Sequence, residues 1–396
     1  MYDENIYLDY NATTPIDIRV RQCMMPFLTH AFGNPSSGHH SLGQRAADAV
    51  EQARYHVATL VNAQPHEILF TSCATESVNT AIKGLAHSRQ TAGKTIVTTG
   101  AEHAAVLATC RQVEDQRPIT FLPVTRTGNL DLRDVVYRVP RGRTLLVSLM
   151  WANNEIGTIH PIREAAEIAH RAGALFFTDA TQAVGKIPVD VRASKVDLMA
   201  LSAHKLYGPK GVGALFVRGG PSAIELQPLL AGGGHEQGLR GGTLNVAGIV
   251  GFGEACRIAK TEMHEEGARI ARLRDLLEQR LRSLPNVVVN GDVQSRLPNT
   301  TNLRFLGVDA ATLIGEMDNI AVSTGSACSS QSGSPSHVLK AIGLCDSCAL
   351  SSIRFSLGRL TTEQEIDTTV QKVAAAVSKL RASTKRTGGT RERSAC

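Results

Sequence analysis

Between about residue 65 and residue 220, short apolar runs alternate with stretches of helical spacing. The runs occupy residues 67–71, 95–98, 119–124, 145–149, 174–178, 196–201 and 213–217. Several, such as Leu145-Leu-Val-Ser-Leu149, are continuously apolar, as in strands covered on both faces. Strands alternating with helices predict a mainly parallel α/β sheet. The pattern changes after about residue 260. Ile270, Leu273, Leu277, Leu281 and Leu284 recur at helical spacing until Pro285, and short strands are expected near residues 287–290 and 302–305. Ile366, Val370, Val373, Val377 and Leu380 form the apolar stripe of a last helix, with Thr362 and Glu365 spaced as a capping box at its start.

These patterns predict a large α/β domain over residues 16–260. A smaller α+β domain is expected from residues 1–15 plus 261–382, and residues 383–396 read as a disordered basic tail. A long helix is expected to blur the boundary. The chain has 396 residues, room for one large and one small domain. Its composition, 42% hydrophobic and 20% charged, is that of a soluble globular protein. Much of the net charge of +6 lies in the tail, and it makes no case for nucleic-acid binding. No run of about 18 apolar residues occurs, so no membrane span is expected. The acidic start of the chain lacks the features of a signal peptide. Eight scattered cysteines then read as reduced thiols of a cytoplasmic protein.

Four stretches carry candidate chemistry. In Ser202-Ala-His204-Lys205-Leu-Tyr-Gly-Pro, a lysine just beyond a buried strand suits a Schiff base to an aldehyde cofactor. Asp179 closes another strand and could pair with a protonated pyridine nitrogen, with Gln182 close enough to reach the ring's phenolic oxygen. Thr71-Ser-Cys73-Ala74-Thr75-Glu76-Ser opens a helix with small residues, which leaves backbone N–H groups for a phosphate. His103 follows a strand, where it could stack on a ring or shuttle protons. Taken singly, each also has an ordinary structural reading: a surface lysine, a helix cap, a buried histidine.

In combination they resemble the fold-type-I, class-V aminotransferase superfamily of pyridoxal-phosphate enzymes, and within it the group I cysteine desulfurases of the NifS and IscS kind. The resemblance runs from Leu8-Asp-Tyr-Asn-Ala-Thr-Thr-Pro15 to Ser351-Ser-Ile-Arg354-Phe-Ser-Leu-Gly358. Between them it takes in Phe32-Gly-Asn-Pro-Ser-Ser37, Asn153-Asn-Glu-Ile-Gly157, Gly232-Gly-Gly-His235 and Gly242-Thr243. It implies that Lys205 carries pyridoxal 5'-phosphate covalently and moves protons, and that Asp179 pairs with the pyridine nitrogen. It implies further that Gln182 contacts the phenolic oxygen, and that His103 stacks on the ring and acts in acid–base steps. Ala74, Thr75, Ser202 and His204 are implied in phosphate binding, with Thr243 supplied by the second subunit of a homodimer. Asn154, also expected at the cofactor, would hold the substrate carboxylate with Arg354, whose planar fork suits a carboxylate.

The reaction is read from Ser323-Thr-Gly-Ser-Ala-Cys328-Ser-Ser-Gln-Ser-Gly-Ser-Pro335, which resembles the desulfurase signature. This segment, about residues 323–336, has little to bury, so it is expected to move and to carry a nucleophilic cysteine. The implied activity converts L-cysteine to L-alanine and leaves a persulfide on Cys328. Sulfur-acceptor or scaffold proteins would then receive that sulfur, for iron–sulfur assembly, tRNA or cofactor thiolation, or DNA phosphorothioation. Cys328 could transiently ligate an iron–sulfur cluster; no resident metal is expected. The alternatives are a selenocysteine lyase or other lyase on the same fold, and a non-catalytic dimeric scaffold. Three features depart from the family pattern: Cys73, expected to be inert; Trp151, expected to tune the pocket; and Cys345-Asp-Ser-Cys348, a C-x-x-C with no second copy to complete a zinc site.

Overall fold

The computed structural model describes residues 5–87, 93–325 and 334–386, with side chains described to residue 383. Cys328 therefore lies outside the described residues. The strands are β1 (Ile6–Tyr7), β2 (Ile68–Thr71), β3 (Thr95–Thr99), β4 (Ile119–Leu122), β5 (Thr144–Ser148), β6 (Leu175–Asp179), β7 (Leu198–Ser202), β8 (Gly213–Val217), β9 (Val287–Asn290), β10 (Thr300–Phe305), β11 (Ile320–Ala321) and β12 (Ser352–Ser356).

Seven of them form one sheet in the order β2-β8-β7-β6-β5-β3-β4. The pairs from β7 through β4 are parallel, and β8 runs antiparallel to both of its neighbours. Alternate residues of the same strand enter different cores. Val97, Val147, Phe176, Met199 and Phe216 pack on one face, while Ile96, Leu146, Phe177, Leu198 and Leu215 pack on the other. This two-sided burial is why these runs are continuously apolar.

A separate core gathers Leu8, Leu273, Leu277, Leu281, Leu303, Phe305, Ile353, Phe355, Ile366, Val373 and Val377. It is built on the antiparallel sheet β12-β10-β9, and the parallel β1–β11 pair ties the start of the chain to it. The helix Val246–Arg282 enters both cores, with Phe252 and Cys256 in the first and Leu273, Leu277 and Leu281 in the second. It ends before Leu284, which packs against the same core from beyond the helix. At the start of the last helix, Thr362 N donates to Glu365 Oε2 (2.7 Å) and Glu365 N to Thr362 Oγ1 (3.2 Å), so the capping box forms. The helix Glu363–Arg386 continues into the stretch expected as tail.

One cysteine expectation is revised. Cys345 is disulfide-bonded rather than a reduced thiol. Its partner is not Cys348, which is a free thiol turned into the interior, so the C-x-x-C does not close on itself. Trp151 packs in the large core, and its neighbours Met150 and Ala152 face the pocket instead. No helix among the described residues is long and apolar enough to cross a membrane.

Candidate active site

The ends of five strands converge on one crevice. β2 leads into Cys73–Thr75, β3 into His103 and β5 into Met150–Asn154; β6 ends at Asp179, and β7 at Ser202 ahead of the turn Ala203–Lys205. The sheet order turns back here, because the chain passes from β3 outward to β4 and then to β5 on the other side of β3. Open α/β sheets bind ligands at such a reversal, beyond the strand C-terminal ends. The cavity encloses about 230 Å³. Ala74, Thr75, His103, Asn154, Asp179, Gln182, Ser202, His204, Lys205 and Arg354 all line it. Thr243 is exposed and does not line it.

One end of the cavity is built to receive an anion. The helix Ala74–Ala86 starts there, and its N-cap residue Cys73 gives no side-chain cap, so N–H groups of the first turn face outward. Ser202 Oγ is buried without a partner among the described residues. His204 Nδ1 lies 3.1 Å from Thr13 Oγ1. Burial first, then Lys205, Lys210 and Lys186, pull His204 down to about 4, so it is neutral at neutral pH. An orphaned hydroxyl, outward N–H groups and an imidazole match a phosphate. Asp179, with Oδ1 accepting from Thr181 N (3.0 Å), lines the cavity with a carboxylate that would suit a protonated pyridine nitrogen. The residues present therefore fit pyridoxal phosphate.

His103 caps the helix Ala104–Val113, Nδ1 accepting from Ala105 N at 3.2 Å. The neutral ring thus carries its proton on Nε2 and meets a ligand as a donor; accepting a thiol proton on Nδ1 requires release of that cap. Burial holds His103 below its ordinary range; Asp179 opposes this and Lys205 adds to it. Burial also pushes neighbouring Glu102 up to about 8, so it holds a proton at neutral pH.

Lys205 Nζ donates to the carbonyls of Asn11 and, at 2.6 Å, Ala12. Arg354 is almost fully buried, bonded to Asn154 O (2.9 Å) and Asp9 Oδ1 (2.6 Å), with Nε unpartnered among the described residues. Two residues that sequence reasoning passed over organise this floor. Asn11 accepts from Gln182 Nε2 on its carbonyl (3.0 Å) and from Asn299 Nδ2 (3.0 Å) and Lys186 Nζ (3.2 Å) on its side chain. Lys186 also donates to Gln182 Oε1, which fixes the orientation of that amide. Desolvation, with Lys205 and Arg354 nearby, holds Lys186 well below the usual lysine range. Asn11 lay inside a motif quoted for the resemblance; Lys186 gave no signal apart from following Gln182 by one helical turn.

The aminotransferase class-V family pattern matches residues 6–369. A cysteine desulfurase IscS of Klebsiella pneumoniae (strain 342) is 50% identical over 379 residues, 95% of this chain and 93% of that protein. The chain belongs to the class-V aminotransferases, among the cysteine desulfurases. A solved NifS-like protein superposes on this desulfurase with a TM-score of 0.87 at 36% identity, covering 95% of this chain and all (100%) of that one. Another structure, described as SspA in complex with cysteine, gives 0.79 at 36% identity over 89% of this chain and 98% of that one. This family member is accordingly a pyridoxal-phosphate enzyme.

Proposed function

We propose that, in the reaction this pyridoxal-phosphate cysteine desulfurase carries out, Cys328 takes the sulfur of L-cysteine as a persulfide while Lys205 moves the substrate protons. The observation that supports this best is the convergence of ten residues, named from sequence, on one cavity. Bound pyridoxal phosphate supplies an electron sink for the pair left when the substrate loses its α-proton. Lys205 is the amine that links to it and later carries that proton. Asp179 pairs with the pyridine nitrogen, Gln182 meets the phenolic oxygen, and Ala74, Thr75, Ser202 and His204 hold the phosphate. Asn154 and Arg354 bind the substrate carboxylate. The Cys328 thiolate attacks the substrate sulfur; an S–S bond forms as the C–S bond breaks, and the carbon fragment takes up a proton and leaves as alanine. The separate core around the antiparallel sheet supports dividing the chain into residues 16–260 and residues 1–15 plus 261–382.

The same reading makes the enzyme a cytoplasmic homodimer that passes sulfur to acceptor proteins. Ile18, Met25, Leu28, Phe32, Leu229 and Leu230 are exposed, and Ser36 Oγ lies 3.1 Å from His235 Nε2, joining the segments that carry them. A second copy covering this face would bring its Thr243 toward the cofactor phosphate.

The test uses the natural chain with L-cysteine. Without reductant, one alanine should form per chain, with one sulfur atom retained on Cys328 by peptide mass spectrometry. With a thiol reductant, alanine and sulfide should accumulate in equal amounts. Sulfide released with no sulfur ever held on Cys328 would favour the lyase reading. Arg354→Lys keeps the charge and loses the planar fork, so it should raise KM for L-cysteine about tenfold or more with kcat much less affected, the mark of uniform substrate binding. An unchanged KM would remove Arg354 from the carboxylate site.

A further inference from the structure

Both ends of segment 326–333 are fastened beside the substrate-binding residues. On the N-terminal side, Ser323 and Arg354 exchange backbone hydrogen bonds, Arg354 N to Ser323 O at 2.7 Å and Ser323 N to Arg354 O at 3.3 Å. Ser323 Oγ then donates to Gly325 O (2.8 Å). On the C-terminal side, Ser336 Oγ caps the helix His337–Ala341 through Leu339 N (3.2 Å) and donates to Glu155 Oε2. His337 Nε2 donates to Glu102 O at 2.9 Å.

Glu155 stands between the two ends. A Cβ built on Gly325 would lie 3.0 Å from Glu155 Oε2 and 3.4 Å from Ser336 Cβ, so the carboxylate, Gly325 and Ser336 meet at one point. Glu155 is fully buried, and its Oε1 has no partner among the described residues. Its N–H is held by Asn153 Oδ1 (2.8 Å) and its carbonyl by Asn302 Nδ2 (3.2 Å), so its backbone is fixed. A carboxylate removed from water with one side-chain hydrogen bond among the described residues is costly, and an apolar residue would pack there more cheaply. Its chain neighbour is Asn154, which faces the cavity.

We propose that Glu155 is a positioning residue for sulfur transfer: its buried carboxylate holds together the chain on the two sides of the cysteine-bearing segment, next in sequence to Asn154 of the substrate carboxylate site. The role rests on Cys328 being the sulfur acceptor. Glu155 acts through Ser336 and Gly325 and touches no reacting atom.

Glu155→Ala and Ser336→Ala each remove one half of the contact, and Glu155→Gln keeps an oxygen that accepts from Ser336. Both alanine variants should lower kcat about tenfold or more, because a misplaced nucleophile loses effective molarity. KM for L-cysteine and the visible absorbance of the bound cofactor should stay unchanged, because the substrate and cofactor contacts remain. In the holoenzyme without cysteine, alkylation of Cys328 by iodoacetamide should speed up severalfold in both. Glu155→Gln should stay within about threefold of the natural chain in both measurements, since one neutral hydrogen bond replaces one charged. Two results overturn the proposal. One is Ser336→Ala matching the natural chain in turnover and in alkylation. The other is Glu155→Ala losing cofactor absorbance and cooperative melting while Ser336→Ala is silent, which makes Glu155 a structural residue. A Cys328→Ala control that still forms alanine at the natural rate defeats the assignment of Cys328 instead, and the alkylation rates still report on Glu155.

Discussion

Lys205→Ala should form alanine from L-cysteine at least about a thousandfold more slowly than the natural chain, within the range that positioned acid–base groups contribute. The loss has two sources. The amine that links covalently to pyridoxal phosphate is gone, and among the described residues no other lysine lines the cavity. Lys186 cannot take over: its Nζ is committed to Gln182 and Asn11. The fold should survive. Lys205 bonds two carbonyls, Asn11 O and Ala12 O, so its removal costs about 1–3 kcal/mol for the acceptors left behind. Part of this is offset, because the Lys205 charge no longer opposes a charge on Lys186. Three measurements check it: alanine formation, the melting transition, and dialysis, which should strip cofactor from the variant and not from the natural chain. Methylamine added to the variant should restore part of the rate. A variant that turns over normally, or whose cofactor resists dialysis as well as before, would falsify the assignment of Lys205.

Lys205 and Asp179 were legible in the sequence for a physical reason: each follows a buried apolar run directly, and in a parallel sheet such positions face the ligand crevice. The reversal of β8 was not legible, because a strand buried on both faces is equally apolar whichever way it runs. Asn11 escaped notice because its partners Gln182, Asn299 and Thr300 lie far along the chain, and no local pattern announces a polar hub assembled by tertiary folding. Lys186 carried no signal in the sequence; only the packing shows its amine turned inward. Trp151 misled for the converse reason. It neighbours pocket residues in sequence, yet the alternation of the chain sends Met150 and Ala152 to the cavity and Trp151 to the core. Glu155 sat inside a recognised motif with no role attached, since its partners Ser336 and Gly325 lie far along the chain.

Cys328→Ala should separate the two halves of the reaction. The parts that bind L-cysteine and remove its α-proton (Lys205, Asp179, Arg354 and Asn154) line the cavity independently of residue 328. Cofactor absorbance and the change that L-cysteine produces in it should therefore match the natural chain. In deuterated buffer the α-proton of cysteine should still exchange, as seen by proton NMR. Alanine and sulfide should fall by more than about a hundredfold, a modest demand beside the roughly 10⁶-fold loss when a covalent nucleophile is deleted from a hydrolase. The reason is chemical: without the thiolate no group takes the sulfur, and the C–S bond is left without an attacking partner. Serine at this position should do no better, since a hydroxyl is a poor nucleophile toward divalent sulfur. Continued exchange with lost alanine places the thiol after proton removal. Loss of exchange as well would place Cys328 in substrate binding rather than in sulfur capture. Alanine and sulfide at the natural rate would mean that sulfur leaves without a protein thiol, and the chain would then act as a lyase on the desulfurase fold.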